Sequence, residues 1–180
     1  MGILDLLGLG DSSVPSEAAP SPGHGETETV RRIVGELDRL EHTRARFLAA
    51  FAYVLSRVAA ADMNISDSET EKMVEIVQRL GNIPEEQAVL VVAIAKNQNK
   101  LFGSTEDYLV TREFRDIATD EQRSQLLDCL FAVSAADDTI TLDEESQIRQ
   151  IAEELGFEHQ DFVEARRAYN DKRSVIKRDR

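Results

Sequence analysis

Tryptophan is absent from this 180-residue chain, cysteine occurs once, histidine three times, and proline and glycine thin out after the first quarter. Each shortage excludes something. A single thiol, Cys129, cannot form an internal disulfide, and its neighbours Leu126, Leu127 and Leu130 suit a small buried hydrophobe in a reducing compartment. The three histidines are followed by Gly25, Thr43 and Gln160, so there is no His-Glu-x-x-His zinc helix; paired Cys-x-x-Cys and glycine-rich phosphate loops are also missing. With no nucleophile set beside a base, the chain reads as non-enzymatic and without an organic cofactor. Positive charge is in deficit: 21 Lys and Arg against 34 Asp and Glu leave a formal charge of −13. That balance argues against nucleic-acid phosphates as a partner and favours metal ions, basic proteins or plain solubility. No apolar run reaches the ~20 residues of a membrane span. Ile3-Leu4-Asp5-Leu6-Leu7 is short and has no basic flank, so no export signal is read and a cytoplasmic location is expected.

What is abundant is Ala, Leu, Glu, Gln and Arg, a composition that favours helices. Three of the four prolines fall between residues 10 and 25. The expected organisation is a short apolar segment at 1–9, a flexible linker at 10–25, one helical domain at 26–171 and a basic, fraying tail at 172–180. The apolar tip suits a partner's groove or, through residues 1–10, weak contact with the inner face of a membrane.

One phrase occurs twice. Leu55-x-x-Val58-x-Ala60-Ala61-Asp62-x-x-Ile65-x-x-x-Glu69 returns as Leu130-x-x-Val133-x-Ala135-Ala136-Asp137-x-x-Ile140-x-x-x-Glu144, always 75 residues on. Ile76/Ile151, Leu80/Leu155 and Gly81/Gly156 keep the register. Agreement over this length predicts an internal duplication. The fold expected is all-α, a helical bundle with two repeated helix–turn–helix units related by approximate two-fold symmetry.

Local signals place the helices. Val30, Ile33, Val34, Leu37 and Leu40 mark one amphipathic stretch, and Phe47 to Val58 mark a second or its continuation across Glu41-His42-Thr43. Ser66 with Glu69, Thr119 with Gln122, and Thr141 with Glu144 have capping-box spacing, while Gly81 and Gly156 stand where a helix would close. Pro84 suits a first helical turn, and Thr105 would open the helix carrying Tyr108, Leu109, Phe114 and Ile117. The alanine pairs 60–61 and 135–136 suggest close helix–helix approach.

The repeated carboxylates admit two readings. Set in an EF-hand frame, the first two ligand positions fall on Val58 and Ala60, then on Val133 and Ala135, and the invariant glycine falls on Met63 and Asp138. A true EF-hand is therefore excluded. An open half-shell of Asp62 with Glu69, or Asp137 with Glu144, would hold Ca²⁺ or Mg²⁺ no tighter than about 10⁻⁴ M. Alternatively, Glu69 and Glu144 only cap helices while Asp62 and Asp137 only form turns.

Ala-Ala-Asp-x-x-Ile-x-x-x-Glu, following an apolar helix and carried here by Ala60 to Glu69 and Ala135 to Glu144, resembles the TerB family of tellurite-resistance proteins. The likeness runs over about residues 44–170, and the same domain forms the N-terminal region of DjlA-type co-chaperones. The family usually has Gly after the Asp, where this chain has Met63 and Asp138. The resemblance implies a helical fold, divalent-metal binding at Asp62, Glu69, Asp137 and Glu144, and a bacterial stress role beside protein partners, some of them membrane-bound. A J-domain's His-Pro-Asp tripeptide is missing, so stimulation of an Hsp70 by that route is not expected. The rival expectation is a metal-free protein-interaction scaffold.

Overall fold

The computed structural model describes residues 24–59, 66–97 and 107–177. These form helices α1 (His24–Asp38), α2 (His42–Ala59), α3 (Asp67–Leu80), α4 (Glu85–Lys96), α5 (Asp107–Ile117), α6 (Asp120–Ser134), α7 (Leu142–Glu154), α8 (His159–Arg167) and α9 (Ser174–Lys177). Short 3-10 turns lie at Ala135–Asp137 and Asn170–Lys172. Among the described residues β pairing is confined to one bridge, Ile140 with Arg173. The chain is all-α. No described helix is long and apolar enough to cross a membrane. The apolar tip and most of the linker lie outside the described residues, as do Ala60, Ala61, Asp62 and Thr105.

Helix α2 is central because it is apolar on every side. Phe47 to Leu55 are buried without a break, which no surface helix could sustain. It packs against α1, α4, α5, α6 and α7. The chain breaks between α1 and α2 because Glu41 acts as a cap: its two carboxylate oxygens accept the N–H groups of Thr43 and Arg44, both at 3.1 Å. Those backbone bonds hold the Glu41 carboxyl below its usual range. Helix α6 is the second hub, touching α2, α3, α7 and α8. Phe47, Phe51 and Phe114 cluster with ring centroids 5.4–6.0 Å apart, and Phe131 meets Phe162 and Tyr169 at 5.6 and 5.5 Å. Cys129 is buried in α6, and burial, helped by Asp128, pushes its thiol up to about 12. It stays protonated and unreactive at neutral pH.

The helix starts follow the expected boxes, but one helix end does not. Gly156 has φ +88° after α7, and the Gly156 and Phe157 N–H groups reach the carbonyls of Glu153 and Ala152 at 3.0 and 2.9 Å. That is the Schellman closure. Gly81 instead keeps right-handed φ −76°, and the left-handed residue is Asn82 at φ 50°. Glycine is required at 81 for space: a Cβ there would sit 2.5 Å from the Val77 carbonyl oxygen and 3.2 Å from Phe51 Cζ. Pro84 stands one place before its expected position, as the N-cap of α4. Ala135 and Ala136 lie in the 3-10 turn after α6.

Candidate functional site

At the first repeat the described part of the turn begins at Ser66, which caps α3. The Glu69 N–H donates to Ser66 Oγ at 3.3 Å, and the Ser66 N–H and hydroxyl both donate to Glu69 Oε2 at 2.6 Å. The Ser66 hydroxyl and N–H hold the Glu69 carboxyl below its usual range. Asp62 falls outside the described residues, so its relation to Glu69 is not described.

The second turn is described throughout. Helix α6 ends at Ser134, the 3-10 turn carries Ala135 to Asp137, and Asp138 adopts left-handed φ 64°. Asp is among the few residues other than Gly that tolerate that backbone. Ile140 then drops into the core at 1% exposure. Thr141 caps α7: the Glu144 N–H donates to Thr141 Oγ1 at 3.2 Å, and the Thr141 N–H and hydroxyl donate to Glu144 Oε2 at 2.8 Å. Asp137 is exposed. Both glutamates of the expected metal set are thus engaged as helix caps. Among the described residues no group of three or more His, Cys, Asp or Glu side chains is placed to hold a metal ion.

The second turn has neighbours that its local sequence did not announce. Lys172 Nζ lies 2.5 Å from Asp138 Oδ1, which holds the ammonium pKa above its usual value. Arg173 grips both oxygens of Glu145 at 2.7 and 2.9 Å, and Arg166 adds a contact to Oε1 at 2.7 Å. Burial pushes the Glu145 carboxyl up, but these two guanidiniums more than offset it and leave it below its usual range. The backbone joins as well: the Ile140 N–H donates to the Lys172 carbonyl at 2.8 Å, and the Ser174 N–H to the Ile140 carbonyl at 2.9 Å. Of the basic end, Lys172 and Arg173 thus contact the domain, and residues 178–180 lie outside the described residues. Lys172 and Arg173 are drawn onto an acidic turn 28 to 34 residues upstream. The available signal was charge: Arg166, Arg167, Lys172 and Arg173 are the basic complement of Asp137, Asp138, Asp143, Glu144 and Glu145.

A cavity of about 460 Å³ opens elsewhere, lined among others by Arg123, Leu127, Asp128, Phe157 and Glu164. Burial raises the Asp128 carboxyl pKa there. The lining contains neither histidine nor cysteine.

Comparison with curated proteins and with solved structures gave no match. A family model described as "Tellurite resistance protein TerB" matches residues 47–167, about two thirds of the sequence, from the central helix through α8 and across both acidic turns. The chain belongs to the TerB family.

Proposed function

We propose that this chain serves a bacterial tellurite-resistance or related stress system as a non-catalytic binding module, and that it works by attracting cations and protein partners to its acidic turns. The observation that carries this reading is the second turn, which holds five carboxylates between residues 137 and 145, two of which, Asp138 and Glu145, pair with Lys172, Arg173 and Arg166. The family's divalent-ion site would fall on Asp62, Glu69, Asp137 and Glu144. At the second turn exposed Asp137 is ready for an ion, whereas Glu144 would have to share the oxygen that caps α7. Hard oxygen donors of this kind suit Ca²⁺ or Mg²⁺, bound at about 10⁻⁴ M or weaker with several waters retained. The rival reading, a metal-free interaction scaffold, is favoured by the two capping boxes.

Titration with Mg²⁺ or Ca²⁺, followed by amide NMR shifts, separates the two. Shifts confined to residues 62–69 and 137–144 support the ion site; an unchanged spectrum at millimolar ion removes it and leaves the scaffold. We also assign the protein to the cytoplasm, with residues 1–10 giving weak contact with the membrane's inner face. Vesicle co-sedimentation that is unchanged when those residues are deleted would sink that assignment.

A further inference from the structure

We propose that the face formed by Asp138, Ile140 and Glu145 is a docking surface for a basic, extended segment of a protein partner, and that the chain's own residues 172–174 occupy it in cis. The inference rests on the reading that the acidic turns attract cations, and it names a second kind of cation for one of them.

Two features make this face a receptor for a peptide. The N–H and C=O of Ile140 bond the backbone on either side of Arg173 at 2.8 and 2.9 Å in parallel register, contacts that need only one extended residue in the segment laid against them. Flanking side chains then select charge: Asp138 takes the ammonium of Lys172, and Glu145 takes the Arg173 guanidinium through both its oxygens. A bidentate carboxylate prefers Arg over Lys by geometry, so the pair reads a Lys-Arg sequence in that order.

The present occupant is held by few contacts, of which the Arg173–Glu145 pair is the one largely out of water. No described residue after Tyr169 joins the buried core, and α9 is a single four-residue turn in which Val175 is 40% exposed. Two backbone bonds and the charge pairs at Asp138 and Glu145 carry the attachment. The Lys172–Asp138 pair is solvated and so weakened by salt. Leu142, two residues beyond Ile140, is 53% exposed and offers a partner an apolar contact that the strap leaves open. A partner segment with a basic pair and a following apolar residue can therefore replace the strap.

The test uses the full chain and a labelled peptide with the sequence of residues 169–180. Fluorescence anisotropy is expected to show the Lys172→Ala/Arg173→Ala variant binding this peptide at least tenfold tighter than wild type, with affinity falling as salt rises. Adding Asp138→Ala and Glu145→Ala should abolish binding, while far-UV circular dichroism confirms that each variant is folded. Equal affinity for wild type and the basic-pair variant, or binding that survives loss of both carboxylates, overturns the proposal. So does a wild-type dimer by light scattering that dissociates in the basic-pair variant, because the strap would then bind in trans. Mg²⁺ titration of the same variant keeps the ideas apart: ion shifts without peptide binding defeat only the docking face, and peptide binding without ion shifts defeats only the ion site.

Discussion

Arg57→Ala should be among the most damaging single substitutions in the protein. The Arg57 side chain is 5% exposed and that of Glu154 is 9% exposed, with Nη1 and Oε2 2.5 Å apart; Arg57 also reaches Thr111 Oγ1 at 2.7 Å. Removing the guanidinium leaves a carboxylate largely out of water with no charged partner, bonded to Gln150 Nε2 at 3.0 Å and to the Thr111 side chain. A buried charge stripped of its partner costs about 3–5 kcal/mol, which is a large part of the ~5–15 kcal/mol that a domain has in total. For a domain of this size the melting temperature should fall by roughly 6–20 °C. The pair as a whole is worth far less than its breakage, because both charges were desolvated to make it. Arg57→Met combined with Glu154→Leu should therefore recover most of the loss, and Thr111 keeps a partner throughout, since its hydroxyl also donates to the Asp107 carbonyl at 3.0 Å. The pH dependence has a definite sign. Burial pushes Glu154 up, but the bonds from Arg57 and Gln150 bring its carboxyl below the usual range. Its contribution is full above the unfolded value of about 4.3 and disappears as pH falls through the lower folded value, so wild type and Arg57→Ala should converge in acid. Thermal and urea unfolding of the three variants between pH 3 and 7 would decide. A single variant within about 1 kcal/mol of wild type at neutral pH, or a double variant no more stable than Arg57→Ala, refutes this account.

Three further outcomes follow from the fold. Gly81→Ala should cost about 1–3 kcal/mol by overpacking against Val77 and Phe51, whereas Gly156→Ala should cost about 1–2 kcal/mol through its left-handed backbone. Gly156→Asn should recover part of that loss while Gly81→Asn recovers none, and equal responses in urea unfolding would contradict the distinction. Ser66→Ala and Thr141→Ala should each remove about 1 kcal/mol by opening a capping box, with faster amide exchange in the first turns of α3 and α7; unchanged exchange would count against the caps. Cys129 should resist iodoacetamide in the native protein at pH 8 and react once unfolded, so rapid native labelling would contradict its raised pKa.

Features legible in the sequence are those whose causes lie within one or two helical turns. The boxes Ser66–Glu69, Thr119–Gln122 and Thr141–Glu144 all form, because each needs only a cap and a residue three places on. The apolar spacing from Phe47 to Val58 likewise marked a helix, while the break at Glu41-His42-Thr43 and the helix's central place depend on the Glu41 cap and on its neighbours. The Gly81 and Gly156 pair shows where periodicity stops informing: the two occupy matching places in the repeat, yet one is demanded by the space beside the Val77 carbonyl and Phe51 and the other by its own φ. Arg57–Glu154 joins residues 97 apart, and Arg57 reads in sequence as an ordinary solvated helix charge. The same holds for Lys172 and Arg173, which resemble a loose basic tail until Asp138 and Glu145 are brought beside them. Of the four carboxylates expected to hold metal, Glu69 and Glu144 serve as caps. Spacing alone could not separate a ligand from a cap, since both roles want a carboxylate three residues after a Ser or Thr.

Asp138 connects the turn's geometry to the strap. At φ 64° it occupies a backbone region that costs an ordinary residue about 1–2 kcal/mol and a glycine almost nothing. Glycine would thus be the better turn former, and what Asp supplies instead is the carboxylate that meets Lys172. Asp138→Gly and Asp138→Asn separate these contributions. Both lose the ionic anchor, so the Ile140 and Ser174 amides, which bond across the bridge, should exchange faster in each. Only Asp138→Gly relieves the backbone, so it should raise the global unfolding free energy relative to Asp138→Asn while leaving the strap equally loose. If strap and turn respond together, with Asp138→Gly protecting those amides better than Asp138→Asn does, the strap is held by the shape of the turn and the charge at residue 138 is incidental.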